Sequence, residues 1–129
     1  MAFDFYRSLN APNAPVTELI TAAAGTYTVG EALAFSGGSL AAATGATKPE
    51  FVSAYAGTLA AAGKIPVTPV NGQEFKTVFS VTPTSVVPGT KVTIDATGTK
   101  VTATTTSGVA EVIDMLGATA AGDAVLVKF

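Results

Sequence analysis

Residues 90–106 constrain the fold of this chain more than any other stretch, because polar and apolar side chains alternate along them. A period of two residues is typical of a strand that buries one face. The alternation breaks over residues 96–99, which have the length of a hairpin loop and include Gly98, a residue free to adopt a positive φ. We therefore predict two strands joined by a hairpin. Because a two-stranded ribbon is not stable alone, its apolar face must pack against more sheet.

A second hairpin is predicted further up the chain. Residues 64–70 and 74–82 are both rich in strand-forming residues and flank Asn71-Gly72, the strongest turn signal in the sequence. Two prolines within residues 64–70 cannot donate backbone hydrogen bonds. This favours a position for that strand at the edge of a sheet, or a strand with an unpaired flank.

The remaining apolar runs are short and separated by glycines. Residues 123–129 alternate and predict a closing strand, whereas residues 16–24 and 109–115 fit either a strand or a helical turn, the strand being favoured for the first. Such spacing is typical of a barrel or a sandwich. The predicted fold class is all-β: a single compact β-barrel or sandwich domain, residues 16–129, preceded by an extended N-terminal arm, residues 1–15.

The predicted arm differs in composition from the rest of the chain. It crowds aromatic residues together and then carries Pro12 and Pro15, which resist both helix and central strand. It could pair as a strand on its own domain or dock on a neighbouring subunit. Docking is favoured, because aromatic side chains on an extended segment supply affinity at interfaces. The predicted docking residues are Phe3, Phe5, Tyr6 and Leu9.

Composition bounds the size of the domain and the kinds of partner. A chain of 129 residues suffices for one domain with one core. The net charge is −2, and the seven basic residues are scattered singly along the sequence, which predicts no nucleic-acid partner. A mean hydropathy of +0.47 is high for a soluble chain and indicates that apolar surface lies at subunit contacts.

No segment has the pattern of a leader or a membrane span. Asp4 stands where basic residues would precede the apolar run of a secretory leader. The longest uncharged run, residues 32–47, is interrupted by polar and glycine residues and is too short to cross a bilayer. We expect a soluble protein made in a cytoplasm, with no membrane partner.

The sequence offers few residues for catalysis. It contains no His and no Cys, so the usual nucleophile pairs and zinc ligand sets are missing. Glu111, Asp114 and Asp123 could together hold a cation, but carboxylates so spaced are more often solvated surface. Asp95 begins a sequence loosely similar to an aspartic-protease turn, which the predicted hairpin explains better. We predict no enzymatic activity, no cofactor and no metal.

Four segments, taken in order, point to a known family: residues 30–33 with Gly38 following, 48–53, 65–70 and 121–129. Together they make the chain, from about residue 27 to residue 129, resemble the small capsid decoration (cement) proteins of tailed bacteriophages. The resemblance implies a β-rich domain, barrel-like or tulip-like, that binds the outside of the expanded head. It also implies two partners: the major capsid protein, whose subunits it bridges, and further copies of this chain, most often as a homotrimer.

The resemblance therefore predicts a structural protein on the capsid exterior, assembled in the host cytoplasm. A chemically inert, Thr-rich β domain with an aromatic arm agrees with that role. Two alternatives remain open: a tail- or fibre-associated structural subunit of a phage, and a carbohydrate-binding β-sandwich. The second is less favoured, because such domains present a platform of exposed aromatic residues, whereas this chain has no Trp and its Tyr27 and Tyr55 are isolated.

Overall fold

The computed structural model describes residues 2–8 and 16–129. These residues form strands and no helix, which confirms the predicted all-β class. The strands are β1 (Asp4–Ser8), β2 (Glu18–Ala22), β3 (Gly25–Tyr27), β4 (Ala32–Ser36), β5 (Ser39–Ala42), β6 (Phe51–Ser53), β7 (Gly57–Leu59), β8 (Gly63–Pro69), β9 (Gln73–Val78), β10 (Lys91–Val92), β11 (Ala110–Asp114) and β12 (Ala124–Lys128).

Five of the strands close into a barrel, in the order β2, β5, β4, β6 and β8. Neighbours run antiparallel except β2 and β5, which run parallel and pair at Ala22 and Leu40. The antiparallel pairing of β2 with β8, from Glu18 opposite Val67 to Ala22 opposite Gly63, closes the ring. β3 and β7 pair separately as a short ribbon. Closure removes the free edges that open sheets must protect.

The barrel is filled by its own small core. Leu33, Leu40 and Ile65 are each at most 1% exposed. Tyr27 is buried in the same cluster, and its hydroxyl donates to the carbonyl oxygen of Ala23 at 2.6 Å. The polar end of the tyrosine is thus satisfied, and the interior is packed with side chains, as a barrel of so few strands requires.

A five-stranded antiparallel sheet lies against the barrel, in the order β1, β9, β12, β11 and β10. Its Phe75 and Val112 join a second, larger core. Ala32 and Ala34 of β4 belong to that larger core, whereas Leu33 between them belongs to the barrel interior. Because the alanines are small, the sheet and the barrel pack closely through this contact.

The turn predicted within residues 90–106 is present, but the long regular strands around it are not. Gly98 has a φ of 73°, and the backbone N–H of Asp95 donates to the carbonyl of Lys100 at 2.9 Å. Only the two residues of β10 are paired as a strand. The alternating pattern therefore locates the hairpin turn but predicts longer paired strands than the structure contains.

Backbone pairing outside the hairpin explains this difference. Ile94 and Val101 form a single bridge with each other, while Ile94 also pairs with Gly45 and Val101 with Phe79. The segment thus pairs with one residue that follows a barrel strand and with one that follows a strand of the five-stranded sheet. Ile94 and Val101 are 2% and 0% exposed, so the apolar face does pack against further sheet, as predicted.

The second predicted hairpin is wrong. The turn at Asn71-Gly72 exists, with the N–H of Gln73 donating to the carbonyl of Val70 at 3.1 Å. However, β8 before the turn belongs to the barrel, and β9 after it belongs to the five-stranded sheet. The turn carries the chain from one layer to the other instead of pairing its flanking strands.

The predicted edge position of residues 64–70 is also wrong, because β8 pairs with β2 on one side and β6 on the other. Pro69 lies opposite Phe51, where β6 begins, and Pro66 lies beyond the last β6–β8 pair, which joins Ser53 to Val67. Each proline sits at an end of that ladder. A missing donor is tolerated there, so β8 can lie inside a closed barrel.

The predicted closing strand and the strand favoured for residues 16–24 are confirmed. β12 is the closing strand, and its Val125 and Val127 are fully buried. Residues 16–24 and 109–115, for which a helical turn was an alternative, contain β2 and β11. Tertiary pairing decides both cases, which the apolar period alone leaves open.

Candidate functional site

β1 forms a free edge of the five-stranded sheet: among the described residues it pairs only with β9. We call Asp4–Ser8 the β1 edge. Its register shifts between Phe5 and Arg7, which places Tyr6 in a bulge. Phe5 and Tyr6 are 40% and 50% exposed. The β1 edge therefore presents two accessible aromatic rings on the outermost strand of the described sheet.

Phe3, one of the four predicted docking residues, lies in the core of its own domain. It is 1% exposed, and its ring meets that of Phe129 edge-on, with 5.2 Å between centroids. Its backbone N–H donates to the carbonyl of Gly30 at 2.9 Å. From sequence alone, an aromatic residue near the start of a chain could lie in a partner's groove or in its own core. The structure places Phe3 in the core.

Residues 4–8 likewise extend a sheet of their own domain, which is the alternative that the sequence left open for residues 1–15. The described part of that segment packs with residues 16–129 as one body. Of the other predicted docking residues, Phe5 and Tyr6 are exposed, and Leu9 lies outside the described residues.

An ion pair that the sequence does not reveal fixes the β1 edge. The Nε of Arg7 donates to Oε2 of Glu74 on β9, and a second guanidinium nitrogen donates to Oε1 at 3.2 Å. The Glu74 side chain is 3% exposed and that of Arg7 60%. The hydrogen bond and charge of Glu74 raise the pKa of Arg7. The two residues are far apart in sequence, so no local pattern predicts that they pair.

A groove of about 160 Å³ lies between the β1 edge and the barrel. Its lining includes Phe5, Val29, Val52 and Phe75. Gly30 forms part of the wall with a φ of 85°, and a Cβ at that position would lie 2.5 Å from the Cβ of Ala2. Glycine is therefore required for the chain start to pack here. Apolar walls next to exposed aromatic rings suit an apolar side chain of a partner.

The three carboxylates considered as a cation site are used separately. Glu111 pairs with Lys128 at 3.9 Å, and Asp114 accepts from the N–H of Leu116 at 2.9 Å. Asp123 accepts from two backbone N–H groups of the turn before β12, which lowers its pKa. Within residues 2–8 and 16–129, no three potential metal-ligating side chains come together.

Asp95 has a structural role in its turn. Its carboxylate accepts from the N–H groups of Thr99 and Lys100 at 3.2 and 3.1 Å and from the hydroxyl of Thr97. These bonds hold the hairpin around Gly98 in shape. They match the interpretation of this sequence as a turn.

Glu31 is a buried acid that the sequence does not single out. It is 7% exposed, and burial raises the pKa of its carboxyl, against the opposing effect of hydrogen bonds from Thr28. A Cβ on Gly98 would lie 3.3 Å from its Cγ, so the 96–99 turn covers it. Burial also raises the pKa of Tyr27, with a smaller contribution from the charge of Glu31. We therefore expect the stability of the domain to depend on the protonation of Glu31.

Comparison of the chain with known protein families, with curated protein sequences and with solved structures finds no match. No helix long and apolar enough to cross a bilayer is present in the described part of the chain. The β1 edge and its groove are thus defined by their geometry alone.

Proposed function

We propose that this chain is a non-enzymatic structural protein of a phage virion, which binds the outer surface of the expanded capsid and bridges subunits of the major capsid protein. The observation that supports this most is the β1 edge, where Phe5 and Tyr6 are exposed on a strand that pairs on one side only among the described residues. Free edge strands readily pair with another chain. Aromatic rings beside such an edge provide anchors for a specific contact.

The rest of the domain suits a static role. The sheet packs directly on a filled barrel, and the Arg7–Glu74 pair fixes the β1 edge to its neighbouring strand. A contact surface held in one conformation loses little entropy on binding. The candidate carboxylates hold local turns and ion pairs within the described residues, which supports a role without catalysis.

Binding through this edge gains strength from repetition. Burying two large aromatic side chains contributes about 1.5–3 kcal/mol each before ordering costs are subtracted. Association of copies, which we propose to be a homotrimer, lets several such contacts form on one shell. Linked contacts bind far more tightly than single ones.

Co-sedimentation tests the proposal. The purified protein is mixed with DNA-free heads from a panel of tailed phages, either expanded or still unexpanded, and its mass in solution is measured by light scattering. We expect an assembly of three 12.8 kDa chains that binds expanded heads at a fixed ratio to the major capsid protein. Unexpanded shells from the same phages are the matched control.

Two results would contradict the proposal. Equal binding to expanded and unexpanded heads would show that the contact does not recognise the mature lattice. Binding to purified tails with none to heads would instead favour a tail- or fibre-associated subunit.

A further inference from the structure

A cleft of about 220 Å³ lies where β10, β11 and β12 run side by side. Three of the chain's lysines line it together with one glutamate and two apolar residues. The lining side chains are Lys48, Lys91, Lys128, Glu111, Val109 and Phe129. The basic residues that are scattered singly in sequence are thus partly gathered by the fold.

Strand register places two of the lysines on either side of the glutamate. Lys91 lies opposite Glu111 on β11, and Glu111 lies opposite Lys128 on β12. Directly opposed residues of neighbouring strands have their side chains on the same face. Only the Glu111–Lys128 pair is close enough to count as an ion pair, at 3.9 Å. Glu111 therefore pairs with Lys128, whereas Lys91 flanks it on the other side without forming an ion pair with it.

The third lysine is brought in by a loop. Lys48 follows Gly45, whose backbone exchanges hydrogen bonds of 2.8 and 3.0 Å with Ile94. Gly108 allows the opposite wall to approach, because a Cβ there would lie 2.3 Å from the carbonyl carbon and oxygen of Lys91. The cleft is thus fixed by backbone contacts at two points.

The cleft is positively charged, whereas the rest of the molecule is negatively charged. The side chains of its three lysines and one glutamate carry a formal charge of +2. The chain has a net charge of −2, so the remaining residues carry −4 (−2 minus +2). Gathering like charges is unfavourable unless an anion offsets them.

We propose that this cleft binds a carboxylate side chain from an acidic segment of a partner protein. Lys48, Lys91 and Lys128 contribute the positive charge, and Val109 and Phe129 contact the aliphatic part of the side chain. The proposal concerns a separate surface and does not depend on the role of the β1 edge.

The lining favours a carboxylate over a phosphate or a nucleic acid. The lining has no arginine, the residue that binds phosphate by paired hydrogen bonds. The negative charge of the remaining surface also opposes a long polyanion.

Fluorescence anisotropy with a labelled hexaglutamate peptide tests the proposal on the full chain. Replacing all three lysines by glutamine (Lys48→Gln, Lys91→Gln and Lys128→Gln) is expected to weaken binding on the order of tenfold. Glu111→Gln is expected to strengthen it. The matched controls are Lys64→Gln and Lys100→Gln, which change the net charge without touching the cleft. Thermal melts of each variant confirm folding.

The outcomes separate the carboxylate from other anions. The site is supported if the cleft variant selectively loses affinity for the peptide and Glu111→Gln gains affinity. Absence of peptide binding by the wild-type chain, or equal loss per lysine in cleft and control variants, overturns it. Tighter binding of inorganic phosphate or of labelled oligothymidylate, lost in the same cleft variant, overturns the assignment to a carboxylate.

Discussion

Arg7 on β1 pairs through two hydrogen bonds with Glu74 on β9, and the carboxylate end of this pair is almost completely buried. Arg7→Ala removes the guanidinium that pairs with Glu74 and leaves a buried charge without this partner, which is strongly destabilising. We expect a lower denaturation midpoint for Arg7→Ala than for the double variant Arg7→Ala/Glu74→Gln. Equal midpoints, or additive losses in a double-mutant cycle, would show that the two residues are not coupled.

Phe3 and Phe5 are two positions apart and have opposite roles. Phe3→Ala removes a fully buried ring and is expected to cost about 3–5 kcal/mol of unfolding free energy. Phe5→Ala truncates a ring that is 40% exposed and is expected to cost less than about 1.5 kcal/mol. Urea denaturation of both variants measures the difference. Similar losses would contradict the placement of Phe3 in the core.

Ala32 controls how closely the sheet approaches the barrel. It is fully buried in the larger core, so Ala32→Leu forces the two layers apart and is expected to cost about 1–3 kcal/mol. Ala42→Leu, at an exposed position of β5, is the matched control. If Ala32→Leu is as stable as the control, the contact between the layers is not tightly packed.

We expect Glu31 to contribute stability that is lost as pH rises. Because its folded-state pKa lies above the ordinary value of 4.5, the stability it contributes is complete below that pH and is lost as pH rises through the folded-state value. Glu31→Gln cannot ionise, so its melting temperature relative to wild type should be higher at pH 7 than at pH 3.5.

Glu50→Gln, at an exposed position, serves as the control for Glu31→Gln, since it makes the same change in net charge. Thermal melts across the pH range follow both variants. The account of Glu31 would be contradicted if the melting-temperature difference between Glu31→Gln and wild type did not change with pH, or changed in the opposite direction.

The sequence predicts local structure better than it predicts which strands pair with each other. Gly98 and Asn71-Gly72 mark real turns, and alternation identifies β12, because turn chemistry and apolar period act over a few residues. It does not show that β8 and β9 lie in different layers, since the hydrogen bonds that decide this come from distant strands.

The same limit applies to the candidate sites. Aromatic crowding near the chain start draws attention to the exposed Phe5 and Tyr6, but it cannot separate them from the buried Phe3. The Arg7–Glu74 pair and the lysine cleft join residues far apart in sequence. Only the strand order and register bring such side chains together.

The most direct test of the central claim is to alter the β1 edge and measure binding to expanded heads. We predict that Phe5→Ser/Tyr6→Ser stays folded and loses most of its binding, whereas Val81→Ser/Val87→Ser, at exposed positions outside the groove, retains it. Unchanged binding by the folded Phe5→Ser/Tyr6→Ser variant would contradict the proposal that this edge is the contact surface.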